Sequence, residues 1–372
     1  MNRIARTWRL VAPILASEPG VPAVAVPGSG ARSETAEDTS FYSVSRSPSP
    51  NHPGWIVALG WGRTCNCPVL FQSQDSGANW TPAPGPPQQS GSQATISLPP
   101  TYPDDSRIFV SAPAALTAPT YFAPRFGAPF ALLPVPNGSV ALSPGFDQGD
   151  DRVFVAGQSA VWSYSPTSGL LQPLVFAGAV SQVFAIASPS QGGGADLFVL
   201  ASGTAPAAAA VQSASVNQLS LYQCAGTPHC AYVSTPPMPM GNSLSVSPSF
   251  ATDHALEVGW VNQIAVSRDG GRSFSTVNAP DGVDSLTPTF IGGTPGNVAT
   301  VWAVAHRSAV PSLVRFDVGS SSWRTVLDAT RAGGRAPLEA TAAGQRVIAL
   351  LSGGGLSCTA DGGASWAPRC PL

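Results

Sequence analysis

The sequence predicts an all-β chain: a single β-propeller of four-stranded antiparallel blades, seven in number. Three observations carry the prediction. A proline-bearing strand stop recurs at roughly 40–60-residue intervals. Each recurrence leads through a turn into a β-branched and aromatic run. No stretch shows a sustained helical period. The intervals place blades at about 41–86, 87–138, 139–178, 179–238, 239–280, 281–333 and 334–372, after an N-terminal strand and linker over 1–40. The same spacing admits six or eight blades.

The stop element is a Ser/Thr/Pro-Pro step, often with an aromatic residue and an Asp-bearing turn. It begins at Ser47, Pro99, Ser143, Ser188, Ser247 and Thr287, and a decayed copy spans 338–343. Proline cannot donate to a ladder and Asp caps tight turns, so the step ends a first strand. The apolar run after it, such as Ile108-Phe109-Val110 or Val153-Phe154-Val155, is the second strand. Such strands read as continuous apolar runs because blades bury both of their faces.

A second element is an octet. Ser73-Gln-Asp75-Ser-Gly77-Ala-Asn-Trp80, Ser267-Arg-Asp269-Gly-Gly271-Arg-Ser-Phe274 and Thr359-Ala-Asp361-Gly-Gly363-Ala-Ser-Trp366 share the pattern S/T-x-D-x-G-x-x-aromatic. In a hairpin between third and fourth strands the Asp accepts turn N–H groups, the Gly takes positive φ, and the aromatic packs back over the turn. In these octets the chain resembles the Asp-box (bacterial neuraminidase repeat) β-propellers, which include sialidases, sortilin-type receptors, xyloglucanases and photosystem assembly factors. The resemblance covers about 41–372. It implies that Asp75, Asp269 and Asp361 are structural, at the blade periphery and away from the active face.

Composition narrows the function. Charged residues are 10% of the chain, hydrophobic residues 43%, and the net charge is −2 with no Lys. No basic stripe exists for nucleic acid, and no window is apolar over the ~18 residues a membrane span needs. The six cysteines fall as Cys65/Cys67, Cys224/Cys230 and Cys358/Cys370. Cys224 and Cys230 flank a turn-like Ala-Gly-Thr-Pro and would face each other across a hairpin, a bridge worth about 2 kcal/mol. Cys65-Asn66-Cys67 would close a very small ring. Zinc is the rival reading, but this spacing is not that of standard ligand sets, and free thiols are a third. Disulfides imply an oxidising, extracellular or cell-surface location, although the N-terminus carries no clear signal peptide. Thr7-Trp8-Arg9-Leu10-Val11 looks like Ser322-Trp323-Arg324-Thr325-Val326 and is read as a strand that helps close the ring, or as the remnant of a lost blade.

The chemistry is sparse. The sialidase arginine clamp is not found, since Arg3-Ile4 is followed by Ala5 and blades two to four hold only Arg107, Arg125 and Arg152. Within the blades the glutamates are Glu257 and Glu339, with Glu257 read as hairpin-facing or channel-lining. The clusters Asp104/Asp105 and Asp147/Asp150/Asp151 fall at equivalent turns, where capping explains them and calcium is the alternative. His52, His229, His254 and His306 lack metal spacing. No metal or cofactor is implied. Loops joining second to third strands and successive blades should meet at one mouth of the channel. That would gather Trp61, Arg63, Trp260, His306 and Arg307 near the 201–218 loop, unless Trp61 and Trp260 pack between blades. The expected function is a non-catalytic exported binding or scaffold module for a protein or surface glycan. A glycan-acting hydrolase at the channel mouth is the alternative. The oligomeric state is left open.

Overall fold

The computed structural model describes residues 39–367, apart from 50, 53, 78, 88–93, 112–118, 147, 190–193, 205–217, 227, 242, 248, 295–296, 308–309, 319–320, 344–345 and 353–354. The expected strand at 7–11, most of the 201–218 loop, Asp147 and Cys370 therefore lie outside the described residues.

Seven sheets, antiparallel apart from one short outer pair in the fourth, make a seven-bladed β-propeller. Blade 1 holds β1 (Thr39–Arg46), β2 (Ile56–Gly62), β3 (Cys67–Ser73) and β4 (Thr81–Pro84). Blade 2 holds β5 (Thr95–Ser97), β6 (Ile108–Ser111), β7 (Tyr121–Ala123) and β8 (Ala131–Leu132). Blade 3 holds β9 (Ser139–Leu142), β10 (Val153–Ala156), β11 (Val161–Ser165) and β12 (Leu170–Pro173). Blade 4 holds β13 (Val175–Phe176), β14 (Ala179–Ala187), β15 (Leu197–Thr204), β16 (Gln218–Cys224) and β17 (His229–Ser234). Blade 5 holds β18 (Ser243–Val246), β19 (Leu256–Trp260), β20 (Gln263–Ser267) and β21 (Ser275–Asn278), with one helical turn, α1 (Phe250–Asp253), between its first two strands. Blade 6 holds β22 (Ser285–Thr294), β23 (Asn297–Arg307), β24 (Val310–Asp317) and β25 (Ser322–Leu327). Blade 7 holds β26 (Pro337–Ala343), β27 (Arg346–Leu351) and β28 (Gly355–Thr359). Its outer position is marked by a bridge in which Cys358 and Ala367 exchange backbone hydrogen bonds of 2.7 and 2.8 Å.

The first strands are neighbours around the ring, β1–β5–β9–β14–β18–β22–β26 and back to β1. Second strands are buried on both faces because alternate side chains enter different blade interfaces. In β2, Ile56 and Ala58 face blade 7, whereas Val57 and Leu59 face blade 2. Each such fully buried Ile, Leu or Val contributes about 1.5–3 kcal/mol. Seven major apolar clusters fill the seven interfaces. The one joining Phe41, Ile56 and Phe71 to Ile348 and Leu350 packs blade 1 on blade 7, so the ring shuts.

The octets turn from third to fourth strands of blades 1 and 5 and follow the third strand of blade 7. Ser73, Ser267 and Thr359 each donate a hydroxyl to the Asp two residues on, at 2.6–2.8 Å. The same hydroxyls accept the N–H of Gly77, Gly271 and Gly363 at 2.8–2.9 Å. Those glycines have φ of +91°, +86° and +90°, a region that L side chains rarely adopt. The Asp then accepts the N–H of Asn79, Ser273 or Ser365. A second repeated device caps the turns between first and second strands. Asp105, Asp150 and Asp253 each accept the N–H two residues ahead, at 2.9–3.0 Å.

Two placements depart from the sequence reading. Val175–Phe176 was assigned by interval to blade 3, but β13 pairs in parallel with β17 and caps the outer edge of blade 4. Pro288 lies inside β22 rather than after it, beside a bulge, which an inner edge strand tolerates because its free side needs no N–H.

Candidate functional site

The blades give the propeller two unlike ends. At one, first-to-second and third-to-fourth turns meet, as when the Ser76 N–H donates to the Gly54 carbonyl and the Gly270 N–H to the His254 carbonyl. At the other, second-to-third turns meet the connections between blades. There the Leu286 N–H donates to the Val261 carbonyl, the Asp284 N–H to the His306 carbonyl, and Arg307 to the Asp281 carbonyl at 2.8 Å.

Trp61, Arg63, Trp260, His306 and Arg307 all fall at this second end by their positions in the strands. They do not form one cluster. Trp61 and Arg63 belong to blade 1, where Trp61 Nε1–H donates to Asn66 Oδ1 at 2.9 Å. Trp260 is half-buried and packs against the core between blades 4 and 5. His306 and the exposed Arg307 sit on blade 6, with Arg307 fastened to the blade 5–6 connection.

The same end carries side chains that sequence reasoning did not single out. Met240, Val261, Val310 and Leu338 are large apolar residues 41–57% exposed. Met240 is in the connection from blade 4 to 5, Val261 is in the second-to-third turn of blade 5, Val310 opens the third strand of blade 6, and Leu338 is the second residue of the inner strand of blade 7. They follow an arc over consecutive blades. In the sequence each is a lone apolar residue beside a turn, indistinguishable from the start of a strand.

Among the described residues the charged groups fall into local ion pairs, including Asp317 with Arg315 and Arg324. Arg107 pairs with Asp105 and Arg152 with Asp150, each within its own turn, and Arg152 also reaches Asp196 at 2.9 Å. Arg125 is exposed in the third-to-fourth turn of blade 2. Hydrogen bonds from Arg152 outweigh burial and hold the Asp150 carboxyl below the usual range. Asp361, bonded by Ser365 and Thr359, is likewise held low. Glu257 is neither hairpin-facing nor channel-lining. It is fully buried in β19 opposite Val266, on the face toward blade 6, and neither carboxylate oxygen has a hydrogen-bond partner. Burial pushes its carboxyl well up. Glu339, on β26 opposite Leu350, is pushed up to about 7 by burial. The two acids therefore stand in different blade interfaces, the first between blades 5 and 6 and the second on the blade 1 side of blade 7. Among the described residues no three His, Cys, Asp or Glu side chains gather as metal ligands.

A cavity of about 690 Å³ opens between blades 5 and 6 at the first end, lined by Arg268, Asp269, Ser275, Asn278, Phe316 and Trp323 among others. Asp269, the sole carboxylate in its lining, is already bonded by Ser267 and Ser273. Among the described residues lining the cavity there is no second carboxylate to form an acid–base pair with Asp269.

Two disulfides are formed among the described residues, Cys65–Cys67 and Cys224–Cys230. Cys358 is also disulfide-bonded. No described helix is long and apolar enough to cross a membrane.

No protein-family model and no curated protein matches the chain. Solved structures do. YCF48 from Cyanidioschyzon merolae is 12% identical over 86% of this chain and 94% of that one, with a TM-score of 0.52. A YCF48 bound to D1 peptide is 12% identical over 87% and 93%, at 0.51. The GH74 enzyme of Niastella koreensis is 12% identical over 88% and 59%, at 0.43. At this identity the likeness is one of fold, and the chain shares the β-propeller architecture of the two YCF48 structures.

Proposed function

We propose that this chain is a non-catalytic, exported Asp-box propeller that binds a segment of another protein. The contact face is the end where second-to-third turns meet the blade connections. The observation that carries the reading is the arc of exposed Met240, Val261, Val310 and Leu338 over blades 4 to 7. Exposed apolar side chains that share one end of the ring offer a contact surface to another macromolecule where they form a contiguous patch. Trp260 and Arg307, residue types that dominate binding energy at protein interfaces, border the arc. A propeller of similar shape binding a peptide, YCF48 with D1 peptide, supports the same mode at the level of fold. The buried Cys224–Cys230 bridge supports export. Against hydrolysis stands the separation of Glu257 from Glu339, since glycoside cleavage needs two carboxyls roughly 5–9.5 Å apart across a cleft.

The test is selection of a displayed random-peptide library on the full chain, followed by binding to Val261→Asp and Val310→Asp. Selected peptides should bind the wild type and lose at least tenfold in affinity on either variant, with unchanged far-UV dichroism. Peptides that bind the variants equally well, or glycan-array binding without any peptide ligand, would refute the reading.

A further inference from the structure

We propose that Cys65–Cys67 is a reversible thiol–disulfide exchange pair, whereas Cys224–Cys230 is a structural cystine. The two bridges differ in exposure and in the length of chain that each closes. Cys65 is exposed and Cys67 half-buried, in the turn from β2 to β3. Cys224 and Cys230 are each 2% exposed and sit inside the core between blades 3 and 4. An attacking thiolate must reach sulfur along the S–S axis, which the exposure of Cys65 favours and the burial of Cys224 and Cys230 opposes, although Cys230 borders a cavity of about 570 Å³. With one residue between its cysteines, Cys65–Cys67 also removes the least chain entropy from the unfolded state, so the fold gains little from keeping it closed.

The hairpin does not need this bridge. Cys67 is already paired with Gly62, Trp61 with Pro68, and Gly60 with Val69. Trp61 Nε1–H holds Asn66 Oδ1 across the turn, and Asn66 occupies the left-handed region at φ +51°. In the bridged form the two Cα atoms are 5.2 Å apart, and the strand pairing and the Trp61–Asn66 hydrogen bond do not depend on the S–S bond. Proximity of this kind makes re-closure intramolecular and fast. Arg63 is an exposed residue of the same turn, two positions before Cys65.

The step balances as follows. A thiolate of a dithiol partner attacks one sulfur, an S–S bond forms between partner and protein, and the other cysteine leaves as a thiolate. The partner's second thiol, as thiolate, breaks the mixed disulfide. The partner ends as a disulfide, oxidised by two electrons, and Cys65 and Cys67 end as a dithiol carrying the two protons.

The full chain is equilibrated with graded ratios of reduced to oxidised glutathione, quenched with an alkylating agent and mapped by peptide mass. At the ratio where half of the molecules have Cys65 and Cys67 alkylated, Cys224 and Cys230 should be alkylated in fewer than about a tenth, the separation expected of an exposed and a buried bridge. In Cys67→Ser, Cys65 should accumulate as its glutathione adduct. Reduction of both bridges over the same range, or of Cys224–Cys230 first, overturns the proposal, as does the absence of an adduct on Cys65 in the folded variant.

Discussion

Replacing Glu257 by methionine should make the protein more stable. The acid is fully buried between blades 5 and 6, its oxygens have no partner, and its neighbours across the strands are Ser245 and Val266. An unpartnered buried polar group costs about 1–3 kcal/mol, and methionine fills a similar volume without that cost. The expected gain is thus about 1–3 kcal/mol at a pH where the acid is protonated. At roughly 2–4 °C per kcal/mol for domains of 150–250 residues, and less for a longer chain, the melting temperature should rise by a few degrees. A pH dependence sharpens the test. Burial raises the folded-state pKa above the unfolded value. Glu257 therefore leaves stability intact below an unfolded pKa of about 4.3 and erodes it as pH rises toward the folded value. The advantage of Glu257→Met over wild type should be larger at pH 8 than at pH 5. Urea unfolding at both values, with an unchanged m-value, measures it. A destabilised variant, or an advantage independent of pH, would show that the carboxyl has a partner and that the interface is organised differently.

Glu339 should show the same sign in a defined window. Its carboxyl is pushed up to about 7, so Glu339→Gln should flatten the decline in thermal stability between about pH 4.5 and 7 seen in wild type. Asp269 bonds Ser267 Oγ, the Ser273 N–H and Ser273 Oγ. Asp269→Ala should thus cost about 1–3 kcal/mol in urea unfolding, and an unchanged midpoint would deny the turn its structural role. Two glycines at equivalent turn positions separate backbone strain from packing. A Cβ on Gly77 meets nothing closer than 3.6 Å, but one on Gly271 would lie 2.2 Å from Leu221 Cδ2. Gly77→Ala should cost about 1–2 kcal/mol and Gly271→Ala distinctly more, and equal costs would contradict the packing of blade 5 on blade 4.

What could be read from the sequence was what local chemistry determines. The octets were legible because Ser267, Asp269 and Gly271 bond one another within five residues, so the turn's defining hydrogen bonds are local. Blade count followed from spacing, since each stop step serves one sheet. Three features were hidden because they depend on residues far away in the chain. β13 is two residues long and reads as the tail of β12, yet its partner β17 lies more than fifty residues on. The face on which Glu257 points is decided by the register of β19 against β18 and β20, which places it with Val266 rather than with Leu256 and Val258. The arc of Met240, Val261, Val310 and Leu338 exists only once four blades are set side by side.

The ring itself is tested most directly by a double-mutant cycle between Phe41 and Leu350. These residues are about three hundred positions apart in the sequence and share a cluster only if blade 7 packs against blade 1. Phe41→Ala and Leu350→Ala, singly and together, should give a coupling energy of at least about 0.5 kcal/mol in urea unfolding. Strict additivity would mean that the first and last blades do not touch and that the sheets form an open arc.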